Sequence, residues 1–138
     1  MLKAIRVSDN ADVIATEVAR GPEYRCPDPA CNQRVIIRKG PKVIHHFAHQ
    51  SGASCAYGRG ETQAHLRAKL MLRDAFRSRG FQADVEQVVL SSESDRRADV
   101  LIWTPNTDRR VAVEVQHSYL SAPDIERRTT AYMVAGVP

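Results

Sequence analysis

The chain is predicted to be α+β, grading into α/β: a small β module rich in cysteine and histidine, then a helix, three strands and a second helix. Three observations lead there. All three cysteines fall between positions 26 and 55, interleaved with His45, His46 and His49. A helical pattern runs from Glu61 to Arg79 and meets a stop at Gly80. Beyond it lie segments of period-two alternation, followed by Ser121-Ala122-Pro123-Asp124, a serine cap with an early proline that opens a helix reaching about Val134.

The first module, residues 1–58, begins with weak alternation (Ala4, Ile5, Val7, then Val13, Ile14, Val18) around Ser8-Asp9-Asn10, which predicts a short hairpin. A strand at 34–38, a Lys39-Gly40-Pro41 turn and a strand at 43–47 follow. Ser51-Gly52-Ala53-Ser54 and Gly58-Arg59-Gly60 read as loops, and the second marks the expected boundary with residues 59–138. In the helix from Glu61, the residues Ala64, Ala68, Met71, Leu72, Ala75 and Phe76 form an apolar arc, with Leu66 and Leu70 opposite. Cover from two directions is therefore expected. Strands are expected at 83–90, 96–103 and 110–116.

Length and composition set the bounds. With 138 residues the chain holds one compact domain with room for a small appended module. No apolar run is long enough to span a membrane, and Met1-Leu2-Lys3-Ala4-Ile5-Arg6 lacks the apolar stretch of a signal peptide, so a cytoplasmic location is expected. The formal charge of +4 is modest, but arginine doublets at 96–97, 109–110 and 127–128 suit phosphate geometry and lean weakly towards nucleic acid. An odd number of cysteines argues against a disulfide framework.

The cysteines point instead to a metal. Cys26 and Cys31 stand in a C-x4-C knuckle, and His46-Phe-Ala-His49 with Cys55 supplies the other half. The expected ligands are Cys26, Cys31, His49 and Cys55, with His46 as the alternate because 46 and 49 fall on opposite faces of a strand. Four such ligands leave no open position, the mark of a structural zinc.

A second constellation comes from strand register. Folded as an antiparallel hairpin centred between Asn106 and Thr107, the segments 96–103 and 110–116 set Asp99 directly across from Glu114. Opposed side chains on one face lie roughly 5 Å apart at Cβ, near enough to share a divalent cation. Ala112 and Gln116 share the face of Glu114, while Val111, Val113 and Val115 face the other way. Glu61, His65 and Lys69 recur at every fourth position along one helix face, so Glu61 is a candidate third carboxylate. Oxygen ligands of this kind suit Mg²⁺ or Mn²⁺.

The Cys26…Cys31, His46-Phe-Ala-His49 and Cys55 run, Gly60-Glu61…His65…Lys69, Arg97-Ala98-Asp99-Val100, Val113-Glu114-Val115-Gln116-His117-Ser118 and Ile125-Glu126-Arg127-Arg128…Tyr132 together resemble the competence protein CoiA-like family. The resemblance covers the chain from about position 23 to the end. It implies an N-terminal zinc-binding module joined to a PD-(D/E)XK, restriction-endonuclease-like nuclease core of order αβββαβ. On it, Asp99 matches the metal-binding aspartate, Glu114 the acidic residue of the E-x-K element and Glu61 the helix carboxylate. Gln116 falls where that superfamily usually carries lysine, and Arg127, Arg128 and Tyr132 match a family block. The final strand of such a core is missing after Gly136-Val137-Pro138, so a fragment, a shortened protein or a swapped homodimer through an unpaired sheet edge are all open.

The expected function is therefore metal-dependent cleavage of DNA. Asp99, Glu114 and Glu61 would hold Mg²⁺ or Mn²⁺, Gln116 would position the attacking water, and Arg96, Arg97, Arg127, His65 and Lys69 would meet substrate phosphates. The alternative is an inactive DNA-binding or DNA-processing accessory protein of the same fold; a zinc-stabilised protein-interaction module ranks behind both.

Overall fold

The computed structural model describes residues 1–51, 55, 57, 60–92, 95–116 and 118–138. The expected loops at 51–54 and 58–60 fall largely outside the described residues, as does His117. Two compact units result, Met1–Leu66 and Arg67–Pro138. The division falls inside the first helix, a few residues later than the loop boundary read from the sequence.

In the first unit β1 (Lys3–Arg6), β2 (Asp12–Ile14), β3 (Tyr24–Arg25), β4 (Arg34–Gly40) and β5 (Val43–His49) form an antiparallel sheet of order β2-β1-β3-β4-β5. The N-terminal hairpin turns at Asn10, whose φ of 56° is the left-handed conformation that asparagine tolerates better than most residues. The core is small: Met1, Ala4, Val13, Ala15, Tyr24, Cys26, Val35 and Phe47 are buried together, with the Tyr24 and Phe47 rings 4.9 Å apart. So few large side chains supply little apolar burial, which makes a metal a natural second source of stability.

The helix α1 (Gln63–Arg77) is shorter at both ends than its sequence pattern suggests. Thr62, not Glu61, caps it: the Thr62 hydroxyl accepts the His65 N–H at 3.2 Å. Gly80, at φ 84°, follows the C-terminal turn. The buried face also departs from the expected apolar arc. Met71 is 65 % exposed, whereas Leu66, Lys69 and Arg73 are buried. The reason is electrostatic: carboxylates of the sheet hold the Lys69 ammonium inside, so the buried face includes charge as well as apolar residues.

The second unit continues with β6 (Gln82–Val89), β7 (Arg96–Trp103) and β8 (Arg110–Val113), an antiparallel meander of order β6-β7-β8. The β7–β8 register pairs Val100 with Val113 and Trp103 with Arg110, which places the turn centre between Asn106 and Thr107. Asn106 adopts φ 61° within that turn. The ladder stops at Val113, one pair short of Asp99 and Glu114. Val89, Ala98, Leu101, Tyr132 and Val137 form the core beside Trp103, Ala112 and Ala135.

The second helix α2 (Ala122–Val134) starts as its sequence demands. The Ser121 hydroxyl accepts the Asp124 N–H at 3.3 Å, and Pro123 sits where its missing N–H costs nothing. After α2 the chain returns to the sheet. Val137 is buried, and the Ala112 N–H donates to the Pro138 carbonyl at 2.8 Å. The edge of β8 is thus met by the last residues at this point, where the sequence reading expects it to be bare. The whole is α+β, with two sheets and two helices among the described residues. None of those helices is long and apolar enough to cross a membrane.

Candidate metal centre and acidic site

In the first unit, Cys26, Cys31, His49 and Cys55 converge until one ligand atom from each lies within 4.8 Å of all the others. Cys26 comes from the residue after β3, and His49 ends β5, on the far side of β4 in the same sheet. The Cys31 Sγ lies 3.3 Å from His49 Nε2. Asp28 shapes the knuckle: its carbonyl accepts the Cys31 N–H at 3.0 Å and its carboxylate accepts the Ala30 N–H at 2.9 Å. The Tyr57 N–H points at Cys55 Sγ, 3.3 Å away. Burial pushes the Cys26 thiol up to about 12, with the neighbouring Cys55 and Cys31 adding to it, and burial raises Cys55 as well. Protonated thiols packed this tightly leave a cluster whose natural occupant is a cation that converts them to thiolates. The Cys₃His group can hold a metal such as zinc. His46 lies apart from this group, with its Nδ1 2.7 Å from the Ile44 carbonyl.

The acidic site lies in the second unit, at the middle of β7 and just past the end of β8. Asp99 is 6 % exposed and is held on both carboxylate oxygens. Oδ2 accepts the Val115 N–H at 2.9 Å, which carries the β7–β8 pairing one step beyond the ladder. Oδ1 lies 2.9 Å from the Lys69 ammonium. That ammonium, fully buried, also reaches Glu86 Oε1 at 3.0 Å. Lys69 therefore sits inside the site against carboxylates, not on the surface where a phosphate would meet it.

Glu86 is the residue that sequence reasoning missed. It is buried in the middle of β6, in register opposite Asp99 between the Val85–Val100 and Gln87–Ala98 pairs, yet forms no ladder pair itself. Its φ of 53° explains the gap. A non-glycine residue in the left-handed region inside a strand costs of order 1–3 kcal/mol, and such strain collects at functional sites. The sequence offers only a weak signal, because β6 also carries Gln82, Asp84 and Gln87 and a glutamate among them does not stand out.

Glu114 is held from α2. Its side chain keeps 30 % exposure, while Tyr132 donates a short hydrogen bond to Oε1 and Arg128 lies 3.5 Å from Oε2. Burial raises the Glu114 carboxyl above its ordinary range; the Tyr132 bond opposes this and the Asp99 charge reinforces it. The Tyr132 hydroxyl is pushed up in turn, by burial first and then by Glu114. Arg128 and Tyr132 stand four apart on one face of α2, the spacing that would have revealed their shared target.

The remaining candidates are placed as follows. Gln116 is exposed and its amide donates to Ser118, at 2.9 Å to the carbonyl and 2.8 Å to the hydroxyl. Arg97 is 3.8 Å from Glu86 Oε2, and Arg96 lies one residue away on the same strand. Arg127 is exposed and pairs with Asp124, so Arg128 rather than Arg127 meets the site. Glu61 and His65 belong to the first unit, where Glu61 Oε2 lies 2.8 Å from the Met1 ammonium. A cleft of about 230 Å³ opens beside Glu114 and Gln116, walled by Ile125, Tyr132 and Met133 of α2.

The donor sets differ in kind. Thiolates and imidazole suit a soft or borderline cation, whereas Asp99 and Glu114 offer oxygen to a hard one. Fold and site together define a two-part protein, with a small β unit able to bind a metal and an α+β unit with a carboxylate site on its sheet. Residues 9–58 match the N-terminal domain of competence protein CoiA, and residues 61–138 match the CoiA nuclease-like domain. The chain belongs to the competence protein CoiA family. Neither a curated protein nor a solved structure matches it.

Proposed function

We propose that the second unit is a metal-dependent DNA nuclease of the restriction-endonuclease-like type, and that the first is a module stabilised by structural zinc. One observation carries the reading: Asp99 and Glu114 are fixed at the same end of the β7–β8 hairpin by separate supports, the Val115 N–H for one and Tyr132 with Arg128 for the other. Carboxylates fastened individually, one of them buried, are arranged for a ligand and not for solvent.

Asp99 and Glu114 would hold Mg²⁺ or Mn²⁺. Bound there, the cation supplies a water of lowered pKa and neutralises charge that builds on the phosphate. Tyr132 and Arg128 keep the Glu114 carboxylate in one orientation. Gln116 would turn from Ser118 to orient the attacking water. Arg96, Arg97, His65 and Arg127 would contact the phosphate backbone, which gives affinity without sequence preference and with strong salt dependence. A second copy pairing along the sheet is the partner proposed besides DNA.

The engagement of Gln116 by Ser118 favours a second reading, an accessory protein that binds DNA without cutting it. Labelled DNA separates the two when binding and cleavage are followed together for the wild type and Asp99→Ala. The nuclease reading expects cleavage to vanish in the variant while binding stays within a few-fold. Binding without cleavage by the wild type in Mg²⁺ and in Mn²⁺ would hand the case to the second reading.

A further inference from the structure

We infer that the acidic site takes a single divalent cation, and that the Lys69 ammonium, held by Glu86, stands where a second would bind to Asp99. This rests on the reading of Asp99 and Glu114 as metal ligands.

The two oxygens of Asp99 face different surroundings. Oδ2 receives the Val115 N–H at 2.9 Å and so looks towards the end of β8, where Glu114 begins. Oδ1 instead meets the Lys69 ammonium at 2.9 Å. Two-metal sites place their cations about 3.5–4 Å apart and bridge them with a shared carboxylate. Here Asp99 Oδ1 is already in contact with the buried Lys69 ammonium. Lys69 and Glu86 are both fully buried at 3.0 Å separation, and removing one partner of a buried ion pair is strongly unfavourable, so the ammonium is held in place.

Charge agrees with geometry. Lys69 offsets Glu86, so the negative charge left for a cation is that of Asp99 and Glu114, already reduced by Arg128 at 3.5 Å from Glu114, which suits one divalent cation better than two. The backbone at Glu86 is the third support. A left-handed glutamate in mid-strand breaks the β6–β7 ladder at one residue, and its carboxylate ends on the lysine that touches Asp99. That local strain is retained at the place where the ammonium is anchored.

The test is a titration of the full chain with Mn²⁺ alone, read by calorimetry and by the spin-resonance signal of unbound Mn²⁺, with an Asp99→Ala titration subtracted. The wild type should bind one Asp99-dependent Mn²⁺. Lys69→Met, which leaves Asp99 and Glu86 facing an empty position, should bind two. Should that variant fail to fold, Lys69→Met with Glu86→Gln removes the pair without a net change in charge. It should bind one Mn²⁺ about tenfold more tightly, because a cation near the ligand has gone. Two Asp99-dependent ions in the wild type, or none, would overturn the inference, as would unchanged binding in the variants. Loss of DNA cleavage with one ion retained would count against the nuclease reading alone.

Discussion

Replacing Tyr132 by phenylalanine tests how Glu114 is held. The side chain is 6 % exposed, and the substitution removes only the hydroxyl that bonds Glu114 Oε1. Hydrogen bonds to a charged group contribute about 1.5–3 kcal/mol, and neutral ones about 0.5–1.5 kcal/mol. The Arg128 contact at 3.5 Å, between side chains 39 % and 30 % exposed, is too well solvated to compensate. The sign follows from the folded chain. The Glu114 carboxyl lies above its ordinary range, so its protonated form favours folding below the unfolded value, and that contribution disappears as pH rises through the folded value. Without the tyrosine bond, which holds the value down, the Glu114 carboxyl should rise further. Urea unfolding should therefore show the variant destabilised by about 1.5–3 kcal/mol at pH 8 but by only about 0.5–1.5 kcal/mol at pH 4. Carbon-13 spectra of the glutamate carboxyls should show one resonance titrating at higher pH than in the wild type. A destabilisation equal at both pH values, with no resonance displaced, would refute this account of the Tyr132–Glu114 contact.

Metal analysis of the purified chain should find one zinc, and Cys26→Ser should abolish it and unfold the first unit; a variant with unchanged metal content would remove Cys26 from the ligand set. Leu101→Ala, at a side chain 2 % exposed in the core of the second unit, should cost about 2–5 kcal/mol in denaturant unfolding. Ser121→Ala should cost about 0.5–2 kcal/mol by removing the α2 cap. Asp124, lowered chiefly by its Ser121 bond, gives stability above the unfolded aspartate range that is lost as pH falls through its folded value. The cost of Ser121→Ala should accordingly shrink in acid, and a cost independent of pH would contradict the link.

The hairpin was legible because it depends on one number, the turn centre, and the observed pairs Val100–Val113 and Trp103–Arg110 have the centre that alternation gives. The Cys₃His group was legible because ligand spacing is set by coordination chemistry. The buried face of α1 was not. Patterning assumes that charge faces water, and Lys69 is buried because Glu86 and Asp99 compensate it, a long-range fact absent from any local window. The same limit hid Glu86, whose left-handed backbone breaks the alternation that would have placed it. The role of Tyr132 and Arg128 is not legible locally, since their common partner Glu114 lies outside α2, just past β8.

The most direct test of the central claim is incubation of the purified chain with linear single- and double-stranded DNA in Mg²⁺, Mn²⁺ or EDTA, beside Asp99→Ala. The account predicts cleavage that requires the metal and is lost in the variant. Cleavage that persists in EDTA, or in Asp99→Ala, would contradict it.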